Sequence, residues 1–275
     1  MTLSIIMVAY NSFATVEQAI SSIVNQVYSN IEFIIIDGGS TDGTLDVIKR
    51  YANKITYWVS EPDHGIYDAM NKGVRACTGD YVYFIGSDDA LVDVNIISQI
   101  VAEIDMNTDI LSCSVIVVDT ESKMQYVMNN HQARDRGKYV GGMIPHQGMF
   151  MRRELLVRCP FDTDYKIAAD FKFFLQSYYD EKVNFKFIDI PVCFMATGGA
   201  SGDNTLRQEE YNLIYKELDL PFHDPPRVFT SRIKELIKKL PYSSQFVKYL
   251  RKRILWEKHH CNNQICRWCG RGYSL

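Results

Sequence analysis

The sequence is organised around one stretch, Tyr81-Val82-Tyr83-Phe84-Ile85-Gly86-Ser87-Asp88-Asp89. Its apolar first part predicts a buried strand, which places the acidic pair at the carboxyl end of that strand. Ligands of open α/β sheets bind at this end of the strands. Two adjacent carboxylates repel each other, and a divalent cation with a phosphate-bearing ligand is the commonest reason for such a pair. An ordinary turn is the alternative, because Gly-Ser-Asp-Asp also suits a loop.

The chain before this stretch alternates apolar runs with helical periodicity. Apolar runs at 3–9, 31–36 and 55–59 predict strands, and a helix is predicted after each of the first two, the first of them at 13–27 with a capping box at Thr15 and Gln18. This βαβαβ order predicts a parallel sheet with right-handed crossovers, an architecture that binds nucleotides. The glycine-rich segment 38–43 lacks both the G-x-G-x-x-G fingerprint and the Gly-Lys-Ser/Thr of a P-loop.

Polar residues near the ends of these strands are candidates for nucleotide binding. Asp37 ends the second strand, where its carboxylate can accept a hydrogen bond from an imide N–H or a ribose hydroxyl. Asp63 precedes a predicted helix and can equally be a helix cap. Asn71 and Lys72 are expected on the polar side of that helix, where Lys72 is either a solvated residue or a contact to a diphosphate. The buried stripe of the helix comprises Ile66, Ala69, Met70, Val74 and Cys77.

The second half of the sequence adds strands and two further candidates. Apolar patterns predict a helix at 93–104, strands at 109–118 and 185–195, and a polar loop at 129–139. The His146-Gln147 pair precedes an apolar strand, so it is either hydrogen-bonded at the strand start or part of a site. Asp170 opens an amphipathic helix, where an acid also interacts favourably with the helix dipole.

Several motifs together resemble the family-2 inverting glycosyltransferases of GT-A fold. Each motif is weak alone, but they occur in order across roughly the first ninety residues. The resemblance implies an α/β fold with a Rossmann-like mixed, mostly parallel sheet flanked by helices, a nucleotide-diphosphosugar donor and a Mn²⁺ or Mg²⁺ ion. The motifs are Ala9-Tyr10-Asn11, Asp37-Gly38-Gly39-Ser40-Thr41-Asp42-Gly43, Glu61-Pro62-Asp63-x-Gly65-x-x-Asp68-Ala69-x-Asn71-x-Gly73, Gly79-Asp80 and Ser87-Asp88-Asp89.

The resemblance also implies roles for residues of the donor half. Ala9, Tyr10 and Asp37 would frame the base, Asp88 would hold the ribose and Asp89 would ligate the metal ion. The first aspartate of the family's D-x-D motif is replaced by Ser87 in this sequence. The residues expected around the nucleotide sugar are Ala9, Tyr10, Asn11, Asp37, Asp63, Asn71, Lys72, Ser87 and Asp88.

The acceptor half carries the implied catalytic group. Asp170 would be the base that takes the proton from the acceptor hydroxyl, and Ala169 stands where the family often has a glutamate. Inversion needs only one such base within hydrogen-bond reach of the acceptor. His146 and Gln147 would orient the acceptor. The glycine-rich segment 197–202 is either a lid near the donor phosphates or a plain linker.

Charge is distributed unevenly along the 275 residues, whose net charge is −3. Residues 226–275 contain twelve basic and two acidic side chains, a net charge of +10, which leaves −13 for residues 1–225. With its amphipathic helical patterns, this segment predicts a basic helical appendage on the anionic inner face of the cell membrane. A packed appendage or a homodimer contact is the alternative. The spacing of its histidines and cysteines argues against a structural zinc site: His259, His260, Cys261, Cys266 and Cys269.

The compartment is predicted from the N-terminus and the cysteines. The sequence starts with an apolar strand pattern and not a signal peptide, and no apolar run reaches the length of a membrane span. Seven scattered cysteines fit a reducing compartment. We therefore expect a cytoplasmic protein, peripheral on the membrane, with a catalytic domain at 1–220 (donor half 1–105, acceptor half 106–220) and a tail at 221–275.

Taken together, these features predict an inverting, metal-dependent glycosyltransferase. The donor would be a UDP-sugar of glucose, galactose or their N-acetyl derivatives. The acceptor would be a hydroxyl of a polyprenyl-diphosphate-linked saccharide, as in O-antigen (lipopolysaccharide) or capsule assembly, and no nucleic acid is expected as a partner. A sugar-phosphate nucleotidyltransferase and a non-catalytic membrane protein that binds sugar nucleotides are the alternatives.

Overall fold

The computed structural model describes residues 1–120, 124–130, 133–134, 144–199, 204–220 and 257–258. Within these residues the strands are β1 Leu3–Ala9, β2 Ile31–Asp37, β3 Tyr57–Ser60, β4 Tyr81–Gly86, β5 Ala90–Leu91, β6 Ile110–Val118, β7 Met124–Met128, β8 Met149–Arg152, β9 Phe185–Ala196 and β10 Glu257–Lys258. The helices are α1 Val16–Val24, α2 Thr44–Arg50, α3 Ile66–Ala76, α4 Ile96–Glu103, α5 Arg153–Arg158, α6 Ala169–Tyr179 and α7 Asn204–Glu217.

The first half of the chain forms the predicted parallel sheet. Strands β3, β2, β1 and β4 lie side by side in this order, and all three pairings are parallel. The register pairs Ala9 with Asp37 and Val8 with Gly86, so the carboxyl ends of β1, β2 and β4 meet at one edge. This edge is where a doubly wound sheet binds its ligand.

The parallel sheet is buried on both faces, because helices cover each side. In β1 the side chains of Leu3, Ile5 and Met7 pack into the core with α1, α2 and α4. Ile6 and Val8 point to the opposite face and pack with α3 and α6. Truncation of such a core side chain to alanine costs about 2–5 kcal/mol of unfolding free energy.

The second half of the chain makes the sheet mixed. Strand β8 pairs antiparallel with both β4 and β6, which continues the sheet beyond β4. On its other side β6 pairs in parallel with β9, which also pairs antiparallel with the short β5. Strand β7 pairs antiparallel with β6, and β10 from the C-terminal segment pairs antiparallel with β7. The division into donor and acceptor halves at residue 105 stays a prediction.

Two local expectations were wrong. Thr15 precedes α1, but its side chain makes no cap hydrogen bond. Its hydroxyl instead donates to the carbonyl of Ser87 at 2.8 Å, which ties the start of the helix to the loop after β4. Asn71 does not lie on an exposed face, since only 7% of its surface is accessible. Its amide donates to the carbonyl of Phe161 at 2.8 Å and accepts from the N–H of Phe161 at 3.0 Å.

The membrane prediction concerns residues that are mostly outside the described ranges. The tail at 221–275, its His/Cys cluster and most of the loop at 129–139 fall there, apart from β10 and a few residues of the loop. Across the described residues, no helix is both long and apolar enough to cross a bilayer.

Candidate active site

The carboxyl edge of the parallel strands borders a cavity of about 1130 Å³, which we call the larger cavity. Tyr10 and Phe13 follow β1 and present aromatic side chains that are 66% and 56% exposed. Asn11 between them has a positive φ of 45° and accepts a hydrogen bond from the N–H of Thr41. This bond holds the loop after β1 against the glycine-rich loop after β2, so the two loops form one wall. The predicted donor residues that line the cavity are Ala9, Tyr10, Asn11, Asp63, Ser87 and Asp88.

Three predicted donor residues lie outside this lining. Asp37 is fully buried, and its carboxylate accepts hydrogen bonds from the N–H and hydroxyl of Ser40 and from the hydroxyl of Ser60. The side-chain amide of Asn71 is hydrogen-bonded to the backbone N–H and carbonyl of Phe161. Lys72 pairs with Glu61 at 3.0 Å and with Asp68 at 3.5 Å, and the hydrogen bond with Glu61 raises the pKa of its ammonium group. In this geometry the three residues support the loops, and their direct contact with a donor stays a prediction.

A second cavity of about 330 Å³, the smaller cavity, contains the predicted catalytic residue. Asp170 lies in the first turn of α6, and both of its carboxylate oxygens are hydrogen-bonded. The hydroxyl of Tyr67 in α3 donates to Oδ1 at 2.7 Å, and Nδ1 of His146 lies 2.7 Å from Oδ2. Three segments far apart in sequence therefore meet at one carboxylate.

The electrostatics of this cluster favour an ionised Asp170. Burial by itself raises the pKa of Asp170, but the hydrogen bond and charge of His146 and the hydroxyl of Tyr67 lower it below its ordinary value. Burial likewise lowers the pKa of His146, and Asp170 outweighs burial and raises it. The pKa of the Tyr67 hydroxyl is raised well above its ordinary value by burial and by the charge of Asp170. Because an ionised carboxylate only accepts hydrogen bonds, Nδ1 of His146 carries a proton.

Asp89 is the other carboxylate that lines the smaller cavity, and it is only 3% exposed. Its Oδ1 accepts from the N–H of Ala196 at 3.0 Å, and its Oδ2 accepts from the N–H of Gly86 and the amide of Gln147. Burial and the neighbouring charge of Asp88 raise the pKa of Asp89 to about 7. The charge of His146 lowers the pKa of Asp89 but does not outweigh burial and Asp88, so hydrogen bonds hold the carboxylate in place while its charge is only partly balanced.

Gly86 lets both acids approach the same point. A Cβ atom on this residue would lie 2.7 Å from Oδ1 of Asp88 and 2.9 Å from Oδ2 of Asp89, which is closer than real contacts allow. Any larger residue would push the acids away from the strand end. The glycine is thus needed for the position of the acidic pair.

The two cavities share one wall, and the acidic pair lies at it. Asp88 lines both cavities, as do Val8, Ile66, Gly86, Gly198 and Gly199. A ligand in the larger cavity therefore reaches the space in front of Asp170 by passing Asp88. This arrangement can hold two substrates end to end, with a proton acceptor on one side and an acidic pair at the junction.

The donor atoms at the junction suit a divalent cation. Among the described residues, no group of three or more histidine, cysteine, aspartate or glutamate side chains is arranged to hold a metal ion. Mg²⁺ and Mn²⁺ in nucleotide sites commonly use one or two carboxylates and complete their coordination with substrate phosphates and water. Asp88 and Asp89 offer such a partial set, because both carboxylates line the smaller cavity at its junction with the larger one.

Sequence reasoning missed two residues of the site. Tyr67 follows Ile66 in α3, and only the buried stripe of the helix could have indicated that it faces inward. Glu210 in α7 is 6% exposed, and its two oxygens accept hydrogen bonds from the backbone N–H groups of Lys166 and Ile167. It fixes the segment that leads to Asp170, and no local pattern indicates this contact across more than forty residues.

Known proteins share this sequence and fold. The model of the family described as Glycosyl transferase family 2 matches residues 4–159. A "PGL/p-HBAD biosynthesis glycosyltransferase" of Mycobacterium bovis is 29% identical over 215 residues, which cover 76% of this chain and 81% of the relative. Residues 1–349 of S. aureus TarS in complex with UDP superpose with a TM-score of 0.63 at 20% identity, covering 89% of this chain and 77% of that TarS fragment.

A second solved structure carries a metal ion. The mannosyltransferase PcManGT of Pyrobaculum calidifontis, in complex with GDP-Man and Mn²⁺, superposes with a TM-score of 0.61 at 20% identity and covers 82% of this chain and 66% of its own. These likenesses confirm the GT-A fold expected from the resemblance of the motifs. Because the family model spans more than half of the sequence, the chain belongs to glycosyl transferase family 2 and is a glycosyltransferase.

Proposed function

We propose that the protein is an inverting transferase that moves one sugar from a UDP-sugar to a hydroxyl of a lipid-linked saccharide. The proposed donor sugars are glucose, galactose and their N-acetyl derivatives. The complex of TarS with UDP supports the nucleotide, and the Mn²⁺ in PcManGT supports a divalent metal ion. The family assignment leaves the nucleotidyltransferase alternative without support.

The observation that carries the proposal is the junction of the two cavities at Asp88. The larger cavity has the size and the exposed aromatic rings that a nucleotide requires, and the smaller one contains the Asp170–His146 pair. A donor in the larger cavity would place its diphosphate beside the acidic pair and its sugar toward Asp170. An acceptor in the smaller cavity would then attack from the side opposite the leaving group.

The chemistry follows from this placement. The Asp170–His146 pair takes the proton of the acceptor hydroxyl while the acceptor oxygen bonds to the anomeric carbon. The bond from that carbon to the diphosphate breaks, and the configuration inverts because attack and departure occur on opposite faces. A divalent ion held by Asp89 with Asp88 would neutralise the charge that develops on the diphosphate.

The proposed cellular context is the assembly of a bacterial polysaccharide such as O-antigen or capsule. The acceptor would be a polyprenyl-diphosphate-linked saccharide at the inner face of the cell membrane, with the protein cytoplasmic and peripheral. The support is the +10 charge of residues 226–275, which suits anionic lipid headgroups. Truncation after Pro226 should release the protein from anionic vesicles and leave UDP binding intact. Unchanged vesicle binding would contradict the membrane role.

The donor proposal is tested with a panel of UDP-, GDP- and dTDP-sugars. Each is added with Mn²⁺, and the thermal unfolding temperature and the release of nucleotide diphosphate are measured. We expect one UDP-sugar to raise the unfolding temperature and to be turned over. Protection by a GDP- or dTDP-sugar alone would contradict the UDP assignment. Binding without turnover in any condition would favour the non-catalytic alternative.

A further inference from the structure

Both oxygens of the Asp170 carboxylate already accept a short hydrogen bond from the protein. Oδ1 accepts the Tyr67 hydroxyl and Oδ2 accepts Nδ1–H of His146, both at 2.7 Å. A proton that moved to Asp170 would neutralise the carboxylate and weaken both of these charge-assisted bonds. The side chains of His146 and Asp170 are only 17% and 19% exposed, so neither bond is readily replaced by water.

The other ring nitrogen of His146, Nε2, differs from the oxygens of Asp170 in its hydrogen bonding. Within the described residues the ring uses only Nδ1 for hydrogen bonding, and the ring lines the smaller cavity. With the proton fixed on Nδ1 by Asp170, Nε2 of the neutral ring carries a lone pair. No described residue donates a hydrogen bond to this lone pair.

We propose that Nε2 of His146 is the atom that takes the proton from the acceptor hydroxyl, and that Asp170 is a positioning residue that holds the ring and stabilises its charged form. The inference rests on the proposed glycosyl transfer and assigns its proton acceptor. It gives His146 a catalytic role in place of the acceptor-orienting role expected from the sequence.

The step is balanced in atoms and charge. The acceptor O–H bond breaks and its proton moves to Nε2, while the oxygen forms a bond to the anomeric carbon. The electron pair of the broken bond between that carbon and the diphosphate leaves with the diphosphate. His146 becomes an imidazolium paired with the carboxylate of Asp170, and it later releases the proton to water.

The placement of the groups matches what this role requires. A base is effective when its pKa lies near the working pH, and an imidazole meets this condition better than a carboxylate that is stabilised in its ionised form. A carboxylate on Nδ1 also selects the tautomer that is needed, as in other histidine bases. Tyr67 holds the opposite oxygen of Asp170, which fixes the plane of the carboxylate against the ring.

The deciding variant is His146→Asn, which keeps an N–H donor near the position of Nδ1 but has no equivalent of Nε2. The probe is hydrolysis of the UDP-sugar that the donor panel selects, with water as the acceptor. We expect kcat to fall about 10²–10⁴-fold with little change in the KM of the donor. Added azoles should restore activity in the order of their basicity: 4-methylimidazole, imidazole, then 1,2,4-triazole.

The matched control is His64→Asn. His64 also pairs through Nδ1 with an aspartate, Asp68 at 3.5 Å, but its side chain is 94% exposed and lines neither cavity. We expect this variant to keep wild-type activity. Activity of His146→Asn within tenfold of wild type would overturn the inference, as would rescue that is absent or independent of azole basicity.

A second measurement does not depend on turnover. The ¹⁵N NMR signals of His146, assigned by their loss in His146→Asn and followed as pH rises until the ring is neutral, should show a protonated Nδ1 and an unprotonated Nε2 in the neutral ring. Asp170→Asn should remove this preference. A neutral ring that carries its proton on Nε2 in the wild type would overturn the inference. A wild type that turns over no donor would overturn the proposed function itself, which separates the two failures.

Discussion

The end of β4 holds a buried carboxylate and the start of α6 holds a partly buried one, and the pKa values of the two groups are shifted in opposite directions. At the end of β4, burial and Asp88 raise the pKa of Asp89 to about 7. At the start of α6, His146 and Tyr67 outweigh burial and lower the pKa of Asp170. Both carboxylates accept at least two hydrogen bonds. The difference comes from the deeper burial of Asp89 together with the opposite charges of the nearest ionisable neighbours, and it separates a cation-binding role from a proton-transfer role.

The largest expected effect follows from removing the charge of Asp170 at the start of α6. Asp170→Asn removes the charge that fixes His146, so we expect turnover of the UDP-sugar to fall about 10²–10⁴-fold. Donor binding should be unchanged, because Asp170 lies outside the larger cavity. Steady-state kinetics with calorimetric donor binding measure both. A parallel loss of donor affinity would show that the two regions are not separate.

Glu210→Ala affects the position of Asp170 indirectly, because Glu210 holds the backbone of the segment that leads to it. It leaves two amide donors, those of Lys166 and Ile167, without their acceptor, and each unsatisfied group costs about 1–3 kcal/mol. We expect the unfolding free energy to fall by about 2–4 kcal/mol in urea titrations, with reduced kcat. The control is Glu209→Ala at the exposed neighbouring position, which should stay within 0.5 kcal/mol of wild type. Equal effects of the two variants would rule out the anchoring role of Glu210.

Asp89→Asn removes the charge of the carboxylate at the end of β4 and tests its proposed role as a metal ligand. We expect the Mn²⁺-dependent part of donor affinity to fall by about tenfold or more, equivalent to about 1.4 kcal/mol. Calorimetric titrations with Mn²⁺ and with EDTA isolate this part, and Asp170→Asn serves as the control that should retain it. Donor binding that responds to Mn²⁺ equally in both variants would contradict a metal role for Asp89.

Tyr67→Phe is the smallest change, and it tests whether the hydroxyl that donates to Asp170 affects the pKa values of the site. It removes one of the hydrogen bonds that lower the pKa of Asp170, and a bond of this kind contributes about 1 kcal/mol. We expect kcat to fall about 3–10-fold. The acidic limb of the pH–rate profile should move to higher pH, because the Asp170 carboxylate without the Tyr67 hydroxyl stabilises the charged ring more strongly and raises the pKa of His146 further. A profile identical to that of the wild type would show that Tyr67 does not act on Asp170.

The two regions also differ in how much the sequence predicts. The acidic pair at 88–89 follows a buried strand directly, so its place at the sheet edge was predicted from a local pattern. The parallel pairing of β1, β2 and β3 was predicted from periodicity, and the structure confirms it. The Asp170 cluster depends on contacts across 24 and 103 residues, which no local pattern encodes. Asn71 was misjudged because a polar residue in an amphipathic helix was assumed to be exposed, whereas it holds the backbone of Phe161.

The most direct test of the opposite pKa shifts of Asp89 and Asp170 is the pH dependence of protein stability in the absence of a metal ion. The folded-state pKa of Asp89, about 7, lies above its ordinary value of 3.8, so the folded state binds the extra proton. Its contribution is complete below the ordinary value and is lost as pH rises toward 7. The lowered pKa of Asp170 stabilises the folded state above the ordinary pKa of the group, and this contribution is lost only at lower pH, as the carboxyl becomes protonated. Burial lowers the pKa of His146, but Asp170 and then Asp89 outweigh burial and raise it, so its contribution to stability is also lost as pH rises. This contribution is smaller in Asp89→Asn, and the difference between the two proteins therefore reports Asp89 together with its interaction with His146.

The measurement is the unfolding temperature from pH 5 to pH 8, for wild type and Asp89→Asn, with EDTA and with saturating Mn²⁺ and UDP. We predict that the metal-free wild type loses stability relative to Asp89→Asn as pH rises, and that Mn²⁺ with UDP removes this loss. Parallel pH profiles of the two proteins in EDTA, or a loss that persists with Mn²⁺ and UDP, would contradict the account.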